Sequence, residues 1–183
     1  LDDQLDSDEL SVRQRIRNFV DESVLPVIEN HYMEGTFPSD LTDQMADLGL
    51  FGPMIEGYGC AGHKATTYGL MMQEIERGDS GLRSFVSVQS ALSMYPIWKF
   101  GTKEQKEKYL PKMAKGELIG CFGLTEPNHG SNPAGMETKI TESNDGFILS
   151  GHKKWLTNGS FGDLAIVWGK GESQKLQGLI VDR

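Results

Sequence analysis

Cysteine is scarce in this chain: Cys60 and Cys121 are the only two among 183 residues. Their separation matches no metal-ligand spacing, so neither a disulfide framework nor a zinc module is expected, and no metal site. Two reduced thiols in an intracellular protein are the expectation. Long apolar runs are also missing. None approaches the roughly 20 residues of a membrane span, so membrane insertion is not expected. Basic tracts are absent as well. Lys and Arg number 18 against 26 Asp and Glu, a net charge of −8. Nucleic acid is therefore excluded as a partner, since phosphate-backbone binding needs clustered Lys and Arg. The first residues, Leu1-Asp2-Asp3-Gln4, are acidic and lack the shape of a signal peptide. Internal repeats and low-complexity segments are lacking too. What remains is 38% hydrophobic and 24% charged, the balance of a soluble globular protein long enough for one or two domains.

The first two thirds carry helical spacing. Asp6 followed by Glu9 reads as a capping box, with Asp in place of the usual Ser or Thr. Val12, Ile16, Phe19, Val20, Val24 and Val27 fall on one helical face, and Pro26 is expected to kink or end that helix. Ser39 is positioned to cap a short helix with Leu41, Met45 and Leu48 inward and Gly49 as its stop. Residues 56–62 contain three glycines and read as loop. Leu70, Met71 and Ile75 mark a helix over 64–77, which Gly78-Asp79-Ser80-Gly81 breaks. A further helix is expected over 82–92. Thr102 and Gln105 form a second capping box, opening a helix with Lys103, Lys106 and Lys108.

After Gly116 the pattern changes. Residues 119–124 are short, apolar and bounded by glycine. Asn144-Asp145-Gly146 is a turn signal between strand-like 139–143 and 147–150. Ser150-Gly151 and Asn158-Gly159 mark more turns, and 164–168 and 179–181 read as strands. The fold class is therefore α+β: an all-α helical domain over 1–118, then a β domain over 119–183. Only Asp182 and Arg183 follow the last strand-like run. A sheet ending there exposes a pairing-competent edge, so further protein is expected to cover it.

Two segments carry the chemistry: Cys121-Phe122-Gly123-Leu124-Thr125-Glu126-Pro127-Asn128-His129-Gly130-Ser131, and Lys154-Trp155-Leu156-Thr157-Asn158-Gly159. Taken singly each has an ordinary explanation. Thr125 fits a strand, and a lone Trp is more often core than a cofactor platform. Together they offer more. Both are glycine-bearing, and both place Thr after a large apolar residue. Thr hydroxyls can donate to the edge of a flat heterocycle and an indole can cover its face. Gly130-Ser131 allows close backbone approach and supplies a hydroxyl for a phosphate oxygen.

This pair of segments resembles the flavin-binding signature of the acyl-CoA dehydrogenases. The likeness spans essentially the whole chain and is most similar to the glutaryl-CoA dehydrogenases. It runs through Gly57-Tyr58-Gly59-Cys60-Ala61-Gly62, Glu74-Ile75-Glu76-Arg77-Gly78-Asp79-Ser80-Gly81, Ser87-Val88-Gln89-Ser90, Lys108-Tyr109-Leu110-Pro111 and 116–127. The resemblance implies an incomplete β-barrel-like second domain and FAD as cofactor. It implies backbone contacts to the flavin from Phe122 and Leu124, and a hydroxyl contact from Thr125. Trp155 would lie against the isoalloxazine with Thr157 at its N5 and O4 edge. Ser131 would face a pyrophosphate or the CoA arm. Arg83 and Ser84, with Glu76 and Ser87, would shape the far end of an acyl pocket. An Arg there neutralises and orients the distal carboxylate of a dicarboxylyl thioester. Most Arg residues are simply solvated charges on a helix. The spacing of Arg83 from Glu76, with Ser80, Gly81 and Ser84 around it, favours the pocket.

The implied reaction is α,β-dehydrogenation of an acyl-CoA, with glutaryl-CoA losing CO2 to give crotonyl-CoA. The thioester carbonyl acidifies the α C–H, a carboxylate removes that proton, and the β hydrogen leaves as hydride to the flavin. The implied partners are an electron-transferring flavoprotein and further copies of the chain in a homotetramer. The implied compartment is a bacterial cytoplasm or a mitochondrial matrix. Departures are also present. Asn132 stands where the signature usually has Asp, and His129 and Gly78 are unusual with no role attached. Family members are roughly twice this long. The catalytic Glu and a second helical domain are expected outside this sequence, so no residue here is assigned as the base. Glu126 belongs to the signature turn and is not promoted to that role. The 183-residue chain alone is expected to be inactive. The rival readings are an acyl-CoA oxidase of similar fold and a non-catalytic interaction module.

Overall fold

The computed structural model describes residues 2–144 and 146–183. Leu1, first of the acidic tetrapeptide, and Asp145, centre of the expected Asn-Asp-Gly turn, lie outside the described residues. The chain divides into two compact units, Leu1–Leu118 and Ile119–Arg183.

The first unit is built of helices. Helix α1 (Ser7–Phe19) opens with the Asp6 capping box, in which Asp6 accepts from the Glu9 amide at 2.8 Å and Glu9 from the Asp6 amide at 3.0 Å. Val12, Ile16, Phe19, Val20 and Val24 are buried along one stripe, each worth about 1.5–3 kcal/mol of transfer free energy at full burial. Pro26 does not end the helix. A π-turn over Val20–Val24 leads directly into α2 (Leu25–Glu34), and the Leu25 amide donates to the Val20 carbonyl five residues back. The ladder is thus already widened where the proline ring, lacking an N–H, would clash. The same device recurs. Helix α5 (Ser80–Ser87) passes through a π-turn over Val88–Met94 into α6 (Tyr95–Phe100), which carries Pro96 in its first turn. The expected stop near Leu92 is therefore overrun by a full turn and more.

Other expectations shift locally. Ser39 does not cap the short helix α3 (Thr42–Asp47). It begins a 3₁₀ turn, Ser39–Leu41, and Leu41 holds the cap position without a side-chain bond. Gly49 takes φ 71° as its stop. The expected loop over 56–62 contains a minimal hairpin, β1 (Glu56–Gly57) against β2 (Cys60–Ala61). Tyr58 and Gly59 at its tip have φ of 56° and 83°, the left-handed pair of a tight hairpin turn. Helix α4 (Ala65–Gly78) and α5 meet at Asp79, whose carboxylate caps the Leu82 amide at 2.7 Å. Gly78 has a packing reason: a Cβ there would stand 2.9 Å from Val20 Cγ1. Helix α7 (Lys103–Ala114) opens with the Thr102–Gln105 box and buries Tyr109, Leu110 and Met113.

Two motif residues in this unit act as internal staples. Ser90 Oγ accepts from the Gly52 amide at 3.0 Å and donates to the Leu50 carbonyl at 2.9 Å. Gln89 Nε2 donates to the carbonyls of Met113 and Leu118. Glu74 is 1% exposed and pairs with Arg17 through two bonds, at 2.8 and 3.0 Å, and with Arg77 at 3.1 Å. Burial pushes its acidity down, yet the Arg17 and Arg77 bonds outweigh that and hold its carboxyl below the ordinary range.

The second unit is one mixed sheet, not closed into a barrel. Its strands are β3 (Gly120–Gly123), β4 (Lys139–Ser143), β5 (Gly146–Ser150), β6 (Leu164–Lys170) and β7 (Leu176–Asp182). β6 is the organising strand. β7 pairs with it antiparallel from Leu164↔Asp182 to Lys170↔Leu176. β3 lies parallel to its first four residues, and β4 meets it in parallel at Lys139↔Lys170. β5 pairs antiparallel with β4. Cys121, Ile140, Leu164 and Ile166 are buried, whereas Phe147 and Ile148 on β5 are exposed. Among the described residues no helix is long and apolar enough to cross a membrane.

Candidate functional site

The sheet unit joins the two motif segments by backbone hydrogen bonding. Where β3 ends, residues 124–126 lead into a turn at Pro127-Asn128. Glu126 and His129 close that turn with reciprocal amide–carbonyl bonds of 3.1 and 3.2 Å. Alongside, the Lys154 amide donates to the Thr125 carbonyl at 2.8 Å. That bond brings Leu124-Thr125 beside Lys154-Trp155.

Next to the join in sequence is a buried ion pair. The Glu126 side chain is 3% exposed and the Lys153 side chain 8%, with Nζ 2.8 Å from Oε1. Lys153 Nζ also donates to the Leu124 carbonyl at 3.0 Å. Glu126 accepts in addition from the amides of Glu137 and Thr138. Burial alone raises the Glu126 pKa, but the Glu137 amide and the Lys153 ammonium overcome it and bring the group from 4.5 to about 2. This carboxylate is committed to holding three chain segments. Its oxygens are taken up by the Glu137 and Thr138 amides and the Lys153 ammonium.

Trp155 is 81% exposed and takes φ 59°, with Lys154 Nζ 4.4 Å from its ring centroid. It is not a core tryptophan. Thr157 and Ser131 are exposed and Thr125 half-buried. Within the described residues the hydroxyls of all three make no hydrogen bond. Phe122 is half-buried in β3 and meets Trp168 edge-on at 6.4 Å. Leu124 is half-buried and fixed through its carbonyl. Ser131 lies beyond the 126–129 turn, and among the described residues no hydrogen bond ties it to Thr125 or Trp155. Asn158 is buried at φ 67° and donates to the Gly120 carbonyl at 3.1 Å, anchoring the Trp155–Thr157 loop to β3. Two unpaired Thr hydroxyls beside an exposed indole fit the ring edge and face of a flavin, so the donor set suits FAD.

The helical unit carries the second group of residues. Arg83 Nε donates to Glu76 Oε2, Ser80 Oγ donates to Glu76 Oε1 at 2.7 Å, and Arg83 Nη1 reaches Ser87 Oγ at 3.4 Å. Ser87 Oγ donates to the Ser84 carbonyl. The Arg83 guanidinium holds the Glu76 carboxyl below its usual range. Glu76, Arg83, Ser84 and Ser87 thus form one connected cluster. An apolar cavity of about 230 Å³ in the same unit is lined by Gly52, Pro53, Ile55, Tyr68, Ala91 and Tyr95. Burial raises the Tyr68 hydroxyl pKa, and the nearby Arg83 charge opposes that rise. Among the described residues no cluster of His, Cys, Asp or Glu is arranged to hold a metal.

Lys153 and Tyr68 carry no mark in the sequence that singles them out. Buried lysines have no signal of their own, because Lys is almost always exposed. The one available hint was position, two residues before the motif tryptophan.

Comparison with known proteins gives a consistent result. Residues 6–117 match the family described as "Acyl-CoA dehydrogenase, N-terminal domain", and residues 121–183 its "middle domain". A probable acyl-CoA dehydrogenase of Bacillus subtilis, YngJ, is 35% identical over 167 residues, covering 90% of this chain and 43% of that protein. The glutaryl-CoA dehydrogenase of Mycobacterium smegmatis, solved in complex with FADH2, superposes with a TM-score of 0.96 at 46% identity, covering 99% of this chain and 47% of that one. The butyryl-CoA dehydrogenase of Megasphaera elsdenii superposes with a TM-score of 0.89 at 30% identity, covering 98% and 49%. The chain spans less than half the length of the relatives it matches.

Proposed function

The chain belongs to the acyl-CoA dehydrogenase family, and we propose on that premise that its protein carries out FAD-dependent α,β-dehydrogenation of an acyl-CoA, with glutaryl-CoA and decarboxylation to crotonyl-CoA as the favoured chemistry. The observation that carries the reading is the bond from the Lys154 amide to the Thr125 carbonyl. It unites two hydroxyls and an indole in a donor set that suits a flavin. Bound FAD supplies the two-electron acceptor that no side chain can provide. Thr125 and Thr157 would donate to its ring edge, Trp155 would cover its face, and Phe122 and Leu124 would contribute backbone contacts. Ser131 would serve a phosphate of the cofactor or of CoA. No residue of this chain is proposed as the base that takes the α proton.

Arg83 is the proposed determinant of substrate class. Glu76 holds it by an ion pair, and Ser87 occupies one terminal nitrogen only at 3.4 Å. A long contact of that kind yields easily to a carboxylate. The 46% identity to a glutaryl-CoA dehydrogenase supports the choice of acid. An electron-transferring flavoprotein is the proposed electron acceptor and a homotetramer the proposed assembly, both by family likeness. The test is kcat/KM for glutaryl-CoA and butyryl-CoA in wild type and Arg83→Ala, with flavin content checked by absorbance. A charge-assisted contact is worth about 1.5–3 kcal/mol, or about one to two powers of ten. Glutaryl-CoA should lose that factor while butyryl-CoA is nearly unchanged. Equal losses would mean that Arg83 is structural and would remove the glutaryl assignment.

A further inference from the structure

We propose that Lys153 is a positioning residue that sets the Thr125 hydroxyl and the Trp155 ring in one rigid frame through its simultaneous hold on the Leu124 carbonyl and the Glu126 carboxylate. The proposal rests on the flavin reading of that site and gives Lys153 a role through the segments it holds.

The geometry is specific. Three consecutive residues, 124–126, have their backbone fixed from three sources. The Leu124 carbonyl accepts from Lys153 Nζ at 3.0 Å, the Thr125 carbonyl from the Lys154 amide at 2.8 Å, and the Glu126 amide donates to the His129 carbonyl at 3.1 Å. Two of those contacts come from adjacent residues, Lys153 and Lys154, whose next neighbour is Trp155. The side chain of Lys153 therefore reaches across to the hydroxyl-bearing segment while its own backbone leads into the indole. Trp155 holds a left-handed φ of 59°, which is uncommon for a bulky residue and persists only where the surroundings impose it. The Lys153 ammonium is nearly out of solvent, and Met136 Sδ stands 3.8 Å from it. Burying an ammonium is costly unless it is fully paired. Here the carboxylate partner is itself tied to the amides of Glu137 and Thr138, so the lysine is anchored to β4's approach as well as to β3's exit.

An ordinary alternative exists: the pair is only a buried structural bridge. The two accounts part over the Leu124 carbonyl. If the bridge matters only as charge balance, removing both charges restores what removing one destroys. If Lys153 positions the site, the neutral double variant recovers stability without recovering the site, because nothing then holds Leu124.

The experiment uses Lys153→Met and the double variant Glu126→Gln with Lys153→Met, each titrated with FAD. The readouts are Kd by quenching of tryptophan emission, the visible circular dichroism of the bound flavin, and the thermal midpoint. Lys153→Met is expected to lower the midpoint and weaken FAD binding by roughly ten-fold, about the worth of one hydrogen bond. The double variant should regain most of the midpoint yet keep the weakened Kd and the altered dichroism. If Lys153→Met is too unstable to titrate, the double variant alone decides. Wild-type Kd and dichroism in the double variant would overturn the proposal while leaving the flavin reading intact. Failure of wild type to bind FAD would overturn the flavin reading, and the proposal with it.

Discussion

Acid should release the Glu126 lock, and the size of the effect follows from its surroundings. The Glu126 carboxyl lies at about 2 in the folded protein, against an ordinary 4.5. At about 1.36 kcal/mol per pH unit, that difference is worth about 3 kcal/mol. The sign follows from proton binding. Folding depresses this pKa, so the unfolded chain binds the proton more tightly. The contribution is complete above the unfolded value and is lost as pH falls from about 5 toward 2. Glu126→Gln removes the charge, keeps a carbonyl oxygen for the Thr138 amide, and strands the buried Lys153 ammonium. At pH 7 the variant should therefore be less stable than wild type by about 3 kcal/mol. The gap should close as the pH approaches 2, because wild type then loses the same charge. Urea unfolding of both proteins at a series of pH values, followed by tryptophan emission and by amide exchange of residues 119–183, measures the gap. A gap constant from pH 7 to pH 2.5, or none at pH 7, would refute the reasoning.

Two further outcomes are expected. Glu74→Gln should destabilise the helical unit by about 1–3 kcal/mol, the range for a charge-assisted bond whose partners stay partly solvated; Arg17 and Arg77 are 43% and 38% exposed. Thermal melts at pH 7 and pH 4 check it, and the difference should shrink at the lower pH because the Glu74 pKa is held below its ordinary value. Glu76→Gln should reduce glutaryl-CoA turnover in the same direction as Arg83→Ala and by a smaller factor, since Glu76 orients the guanidinium without meeting the substrate. Steady-state kinetics with both thioesters would expose an effect on butyryl-CoA instead.

The helices were legible because their signals are local. The Asp6 and Thr102 boxes needed only a side chain and an amide three residues away, and the stripe from Val12 to Val24 repeats at helical spacing. The π-turns were not legible. Nothing in Val20–Val24 or Val88–Met94 marks a widened turn except the proline that follows, and a proline reads first as a stop. Ser39 misled for a related reason: the chain could satisfy the same amides with a 3₁₀ turn. In the sheet unit the strands showed through β-branched and glycine-bounded runs, with ends extended by pairing in β6 and β7. Their order did not, because β6 recruits β3 and β4 by contacts distant in sequence. The motif residues were visible as chemistry, but the bond between Thr125 and Lys154 was visible only in three dimensions. Lys153 escaped because its role depends on burial that composition argues against.

FAD titration tests most directly whether the joined segments form a flavin site. The protein carrying this chain should bind FAD with the visible absorbance of a bound flavin. Trp155→Ala should weaken that binding by up to about one power of ten, given about 0.5–1.5 kcal/mol for a stacked aromatic face, and Thr125→Val by a smaller factor, with the fold unchanged by far-UV dichroism. A colourless protein, or FAD binding indifferent to both substitutions, would contradict it.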